Sequence, residues 1–152
     1  MSTSEPILIS SCLLGIKCRY DGNHSRYNEL MIKSTEQHFI PICPEQLGGL
    51  PTPRVPSQIV MGDGKDVLSG KAKVVNDLLE DVTEAFIKGA KESLKIAKIT
   101  GAVKACLKSN SPSCGLKTSY CETKCGYGLG VTAALFVNAG IEIIEIDPSS
   151  DS

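Results

Sequence analysis

The sequence predicts an α/β fold in which a mainly parallel sheet is covered by helices on both faces, three layers in all. Three observations carry this: short apolar runs of strand length, a long stretch of helical periodicity between them, and a length of 152 residues. That length suffices for one compact core without disulfide staples. Helices alternating with buried strands give the layering called Rossmann-like. One domain over 1–152 is expected, with a polar tail from about residue 148.

Pro6-Ile7-Leu8-Ile9-Ser10-Ser11-Cys12 is apolar and then small and polar, as in a buried strand that reaches a loop, so Cys12 falls at its exit. Phe39-Ile40-Pro41-Ile42-Cys43 is a second short run. Its internal proline marks an imperfect or edge strand, and Cys43 again falls at the exit. Gln46 to Gly70 is rich in Gly and Pro and reads as a long, ordered functional loop. From Asn76 to Ile99, Leu78, Val82, Phe86, Ala90, Leu94 and Ala97 recur at helical steps, with acids early and lysines late as the helix dipole prefers. Gly101 ends that helix. Ala102 to Lys108 reads as a strand leading through Ser109-Asn110-Ser111-Pro112-Ser113 to Cys114, the third cysteine after a strand. Gly130 to Ala139 reads as a helix and Ile141 to Ile146 as a last strand; no internal repeat is present.

In a parallel sheet, ligands bind beyond the carboxyl ends of the strands, where residues about 30 and about 70 positions apart can meet. Cys12, Cys43 and Cys114 all belong at that edge. Seven cysteines, an odd count, suit metal binding or catalysis in a reducing compartment better than a disulfide framework. The formal net charge of −1 offers little attraction for DNA or long RNA, and the absence of tryptophan argues against a stacking surface for single strands, so a small substrate is favoured. No apolar run spans a bilayer and Met1 to Pro6 lacks the order of a secretory signal, so a cytoplasmic protein is expected.

Four blocks stand out: Ser11-Cys12-Leu13-Leu14-Gly15; Cys18-Arg19-Tyr20-Asp21-Gly22; Cys43-Pro44-Glu45 with Gly48-Gly49-Leu50-Pro51; and Ser111-Pro112-Ser113-Cys114-Gly115. In this order they resemble the thiouracil desulfurase family over most of the chain. The resemblance implies a [4Fe–4S] cluster held by the cysteines at the matching positions, Cys12, Cys43 and Cys114, with Glu45 and Ser111 in catalysis. Three thiolates would leave one iron open as a Lewis acid for a substrate sulfur, so that water can replace it on the ring carbon without net electron transfer. Glu45 would then move protons, and Ser111 would position water or the ring. Members of the family that act on transfer RNA carry a further domain, so a monomeric thiolated uracil compound is the expected substrate.

Other residues have plainer readings. Cys106, inside its strand, is packing. Cys18 is held in reserve as a spare ligand or as a structural or redox thiol. Cys121 and Cys125, spaced C-x3-C, are bystanders or else staple a loop, bind zinc with other ligands or join the cluster; they fit neither a zinc ribbon nor a radical-forming motif. Asp21 and Ser113 read as turn residues, Gly126-Tyr127-Gly128-Leu129-Gly130 as a loop, and His24 and His38 as surface residues. Arg19, Arg26, Arg54 and Lys117 flank the blocks as candidate contacts for a nucleotide phosphate or as plain solvated charges, with no firm assignment among them. Two competing classes are a cluster- or zinc-binding sensor, with a fourth protein ligand closing the site, and an electron carrier independent of Glu45.

Overall fold

The computed structural model describes residues 5–26 and 37–148. Four parallel strands, β1 (Pro6–Ser10), β2 (His38–Ile42), β5 (Lys104–Lys108) and β6 (Glu142–Ile146), form one sheet in the order β2-β1-β5-β6. Two shorter strands, β3 (Ser57–Val60) and β4 (Lys73–Asn76), pair antiparallel in a separate ribbon. The helices are α1 (Pro44–Leu47), α2 (Gly64–Leu68), α3 (Thr83–Thr100) and α4 (Val131–Asn138).

The mainly parallel α/β sheet is therefore as expected. β2 lies at an edge, where Pro41 withholds no hydrogen bond from a central ladder, and it pairs with β1 from Pro6↔His38 to Ser10↔Ile42. On one face Leu8, Ala105 and Leu107 pack against Ala97 of α3 and Phe136 of α4. On the other, Ile9 and Cys106 meet Leu13, Cys12 and Cys18 beneath the 3₁₀ turn Ser11–Leu14. The connection from β1 to β2 runs through residues 27–36, which lie outside the described residues, as does the end of the polar tail, 149–152.

Two expectations are corrected. The stretch from Gln46 to Gly70 is not one loop: it contains β3 and α2, and Ile59 and Val67 are buried with Val74, Phe86, Ala90 and Val131 in a core of their own. The long helix begins at Thr83, not near Asn76. Asn76 ends β4, and its Oδ1 accepts the backbone N–H groups of Leu78 and Glu80, an Asx-based turn that leaves Leu78 on the surface. Gly101 does end the helix, at φ 76°.

Position, not packing, gives the sheet its functional meaning. From β1 the chain moves to β2 on one side and later to β5 on the other, so the strand order reverses between β1 and β5. Outside the carboxyl ends of these strands the flanking loops part and leave a crevice.

Candidate functional site at the carboxyl edge of the sheet

A cavity of about 200 Å³ opens at that crevice, and its wall includes Cys12, Cys18, Cys43, Cys114, Glu45 and Ser111. Each side chain arrives for a local reason. Cys12 sits in the 3₁₀ turn that follows β1 directly, closed by Gly15 at φ 90°, a left-handed conformation that favours glycine. Cys43 is the N-cap residue of α1, with Pro44 at the first helical position where a missing N–H costs nothing, and Glu45 follows in the first turn. Cys114 lies in the loop after β5. That loop is pinned to α4, where the Ser113 carbonyl accepts the N–H groups of Thr132 at 2.8 Å and Ala133 at 3.0 Å.

Ser111 folds the same loop from within: its Oγ accepts the backbone N–H groups of Ser113 at 3.2 Å and Cys114 at 3.1 Å. Both bonds use the oxygen as acceptor, so the hydroxyl proton is available to another partner. Glu45 Oε2 accepts from Arg54 Nη2 at 2.6 Å.

The sulfurs differ in readiness. Cys18 packs beside Cys12 and Cys43, its carbonyl accepting from Cys43 Sγ at 3.7 Å, and its thiol is pushed up by these two neighbouring thiols and by burial. The Cys18 thiol holds the Cys12 thiol below its ordinary value against the opposing effect of burial, helped by the charge of Lys108. Cys43 is lowered to about 7, first by Cys18, then by the backbone of Gln46 and the Arg54 charge, again against burial. Burial pushes Cys114 up to about 12. Two sulfurs thus lean toward thiolate, the form that ligates metal.

Among the described residues no three His, Cys, Asp or Glu side chains converge tightly enough to hold a single ion. Cys12, Cys18, Cys43 and Cys114 instead share the wall of one cavity. An all-sulfur donor set of this kind suits iron–sulfur chemistry, in which each thiolate takes its own iron, and not a hard cation.

A family model described as 2-thiouracil desulfurase matches residues 7–147. The chain belongs to the 2-thiouracil desulfurase family. It is 45% identical over 148 residues to the uncharacterized protein YbbK of Bacillus subtilis (strain 168), covering 95% of this chain and 98% of that one. Its structure is similar to that of the [4Fe-4S]-dependent thiouracil desulfidase TudS, with a TM-score of 0.77 and 35% identity over 93% of this chain and 91% of the other.

For this desulfurase-family chain, the cavity sorts the remaining expectations. Cys106 is 6% exposed and packs behind Cys12 and Cys18 without lining the cavity itself, and Cys121 and Cys125 also lie outside that wall. No disulfide joins any of the seven cysteines. Cys18, held in reserve by the sequence, is brought in. Asp21 forms a turn, accepting the Asn23 N–H at 3.0 Å, and pairs with Arg19 at 3.5 Å. Lys117 lies over the Tyr127 ring at 5.6 Å, and His24 Nδ1 accepts the Arg26 N–H at 3.1 Å. The sequence assigned no role to Lys108, Tyr20 or Tyr120, which line the cavity, and offered Arg54 only as a phosphate contact or a solvated charge. The strand-exit pattern that located the cysteines also covers Lys108, the last residue of β5.

Proposed function

We propose that the protein is an iron–sulfur-dependent desulfidase that removes sulfur, as sulfide and without net electron transfer, from a small thiolated uracil compound. The observation that carries this reading is the convergence of Cys12, Cys43 and Cys114, from three separate strand exits, on one cavity that also has a carboxylate and a hydroxyl in its wall. Family membership supports the same chemistry.

Cys12, Cys43 and Cys114 would hold a [4Fe–4S] cluster. When bound through three thiolates, such a cluster supplies an iron with an open position that acts as a Lewis acid toward sulfur. The exchange converts C=S and water into C=O and hydrogen sulfide, so protons must leave the water and reach the departing sulfur. Glu45 is the residue for that transfer, since a carboxylate at the wall of a partly dry cavity can take and return a proton. Ser111, with its oxygen already accepting two backbone N–H groups, donates a hydrogen bond through its O–H to the water or the ring. Tyr20 and Tyr120, both in the wall, are the aromatic residues on which a planar pyrimidine would stack. Among the described residues no helix is long and apolar enough to cross a membrane, and we infer a cytoplasmic setting, where thiols stay reduced.

One observation favours a second reading. Cys18 packs beside two of the three proposed ligands and lines the same cavity, so a fourth protein thiol could close the site and make a sensor without turnover. Anaerobic reconstitution with iron and sulfide, followed by assay of sulfide release from 2-thiouracil, 4-thiouracil and their nucleotides, separates the two. Turnover on one of these is expected. An intact cluster with no sulfide released from any of them would overturn the desulfidase reading in favour of the sensor.

A further inference from the structure

Arg54 reaches the cavity from the Gly- and Pro-rich segment after α1, yet its side chain is only 5% exposed. Its guanidinium carries five N–H donors. Nη2 donates to Glu45 Oε2 at 2.6 Å and to the Cys18 carbonyl at 3.0 Å. Nη1 donates to the Pro51 carbonyl at 3.3 Å and to Thr52 Oγ1 at 3.1 Å. Only the Nε–H is without a partner among the described residues. The backbone N–H of Arg54 also donates to the Tyr20 carbonyl at 2.6 Å.

An arginine so committed is poorly placed to receive an incoming anion, because four of its contacts would have to break first. What it does instead is fix a carboxylate. Glu45 Oε2 is held, whereas Oε1 has no hydrogen-bond partner among the described residues. A planar fork anchored on two carbonyls and a hydroxyl also limits how far Oε2 can swing, a constraint that a flexible ammonium would not impose.

We propose that Arg54 is the positioning residue of the site: it grips one oxygen of Glu45 so that the other is presented, in fixed geometry, as the proton-transferring atom. This rests on the desulfidase reading above. Small misplacements of a catalytic group can cost on the order of 100-fold in rate, so the guanidinium should count in turnover and not in substrate affinity.

The test is a double-mutant cycle with Arg54→Lys and Glu45→Gln in the reconstituted protein, reading kcat, KM, iron content and the thermal midpoint. Arg54→Lys should lower kcat by roughly 10-fold to 100-fold with KM, iron content and midpoint nearly unchanged. In the Glu45→Gln background the same change should cost almost nothing further. An equal loss in both backgrounds would overturn the proposal, as would a loss confined to KM, which would make Arg54 a substrate contact. Should Arg54→Lys fold poorly, Arg54→Ala assayed with added guanidinium replaces it. Recovery of kcat only when Glu45 is present supports positioning; no recovery, or recovery without Glu45, rejects it. Wild-type protein that releases no sulfide defeats the function reading and this proposal together, whereas an active wild type with an additive cycle defeats this proposal alone.

Discussion

Gly48 and Gly89 pack backbone against backbone: a methyl group on Gly48 would overlap the Ala85 carbonyl, and one on Gly89 would overlap that of Pro44. α1 is a single turn with little stability of its own, so this contact with the long α3 is what holds Cys43 and Glu45 at the cavity. Gly89→Ala, although favourable for an isolated helix, should therefore destabilise the protein by about 1–3 kcal/mol in urea unfolding and reduce turnover by displacing α1. A variant with unchanged stability and activity would show that α1 is held by other contacts.

Glu45 shares its charge with a nearly buried guanidinium, so removing it outright would leave Arg54 unpaired. Glu45→Gln keeps an acceptor for Arg54 and removes only the ability to carry a proton. It should keep the cluster's visible absorbance and lose on the order of 10²-fold to 10⁴-fold in kcat. Loss of the absorbance would assign Glu45 a structural task.

The cysteines sort into a definite order under substitution. Cys12→Ser, Cys43→Ser and Cys114→Ser should each strip most of the iron from anaerobically reconstituted protein, whereas Cys106→Ala, behind the cavity wall and not part of its lining, should retain it. Cys18→Ser is the decisive member of the series. Three-thiol ligation predicts retained iron and turnover; iron loss would make Cys18 a ligand and favour the sensor.

Cys125, on the surface, has the Thr123 hydroxyl 3.4 Å from its sulfur, and this contact, followed by the backbone of Tyr127, holds its thiol below the ordinary value. Its thiolate therefore becomes dominant at lower pH than that of an ordinary cysteine. Alkylation followed by mass spectrometry, as a function of pH, should find Cys125 modified ahead of Cys121, whose thiol burial pushes up. Thr123→Val should shift the Cys125 profile toward higher pH.

The strands that build the site were legible because each is a compact apolar run followed by a cysteine, either at once or after a short polar loop. β3 and β4 were not. Ile59 and Val74 are fully buried, but each lies in a strand of only four residues, too short for alternation to register beside glycine and proline. The false start of α3 has a local cause. Leu78 fits the helical spacing, but Leu79 adopts φ 63° and the Asn76 side chain organises a turn across the same residues. Within the site, strand exits located Cys12, Cys43 and Cys114. Cys18 and Arg54 depend on how loops fold back toward Cys12, Cys43 and Glu45, and no periodicity records a loop's path.

The reversal of strand order also sets a schedule. β1 meets β5 through pairs such as Ile7↔Lys104, a separation of 97 positions (104 − 7), so the crevice does not exist until most of the chain has been made. A ribosome-bound chain carrying Cys12 and Cys43 lacks the third thiol and the neighbouring strand that gives the crevice its second wall. Any group gripped by all three sulfurs must be delivered to a polypeptide already made past residue 114, with its strands in place.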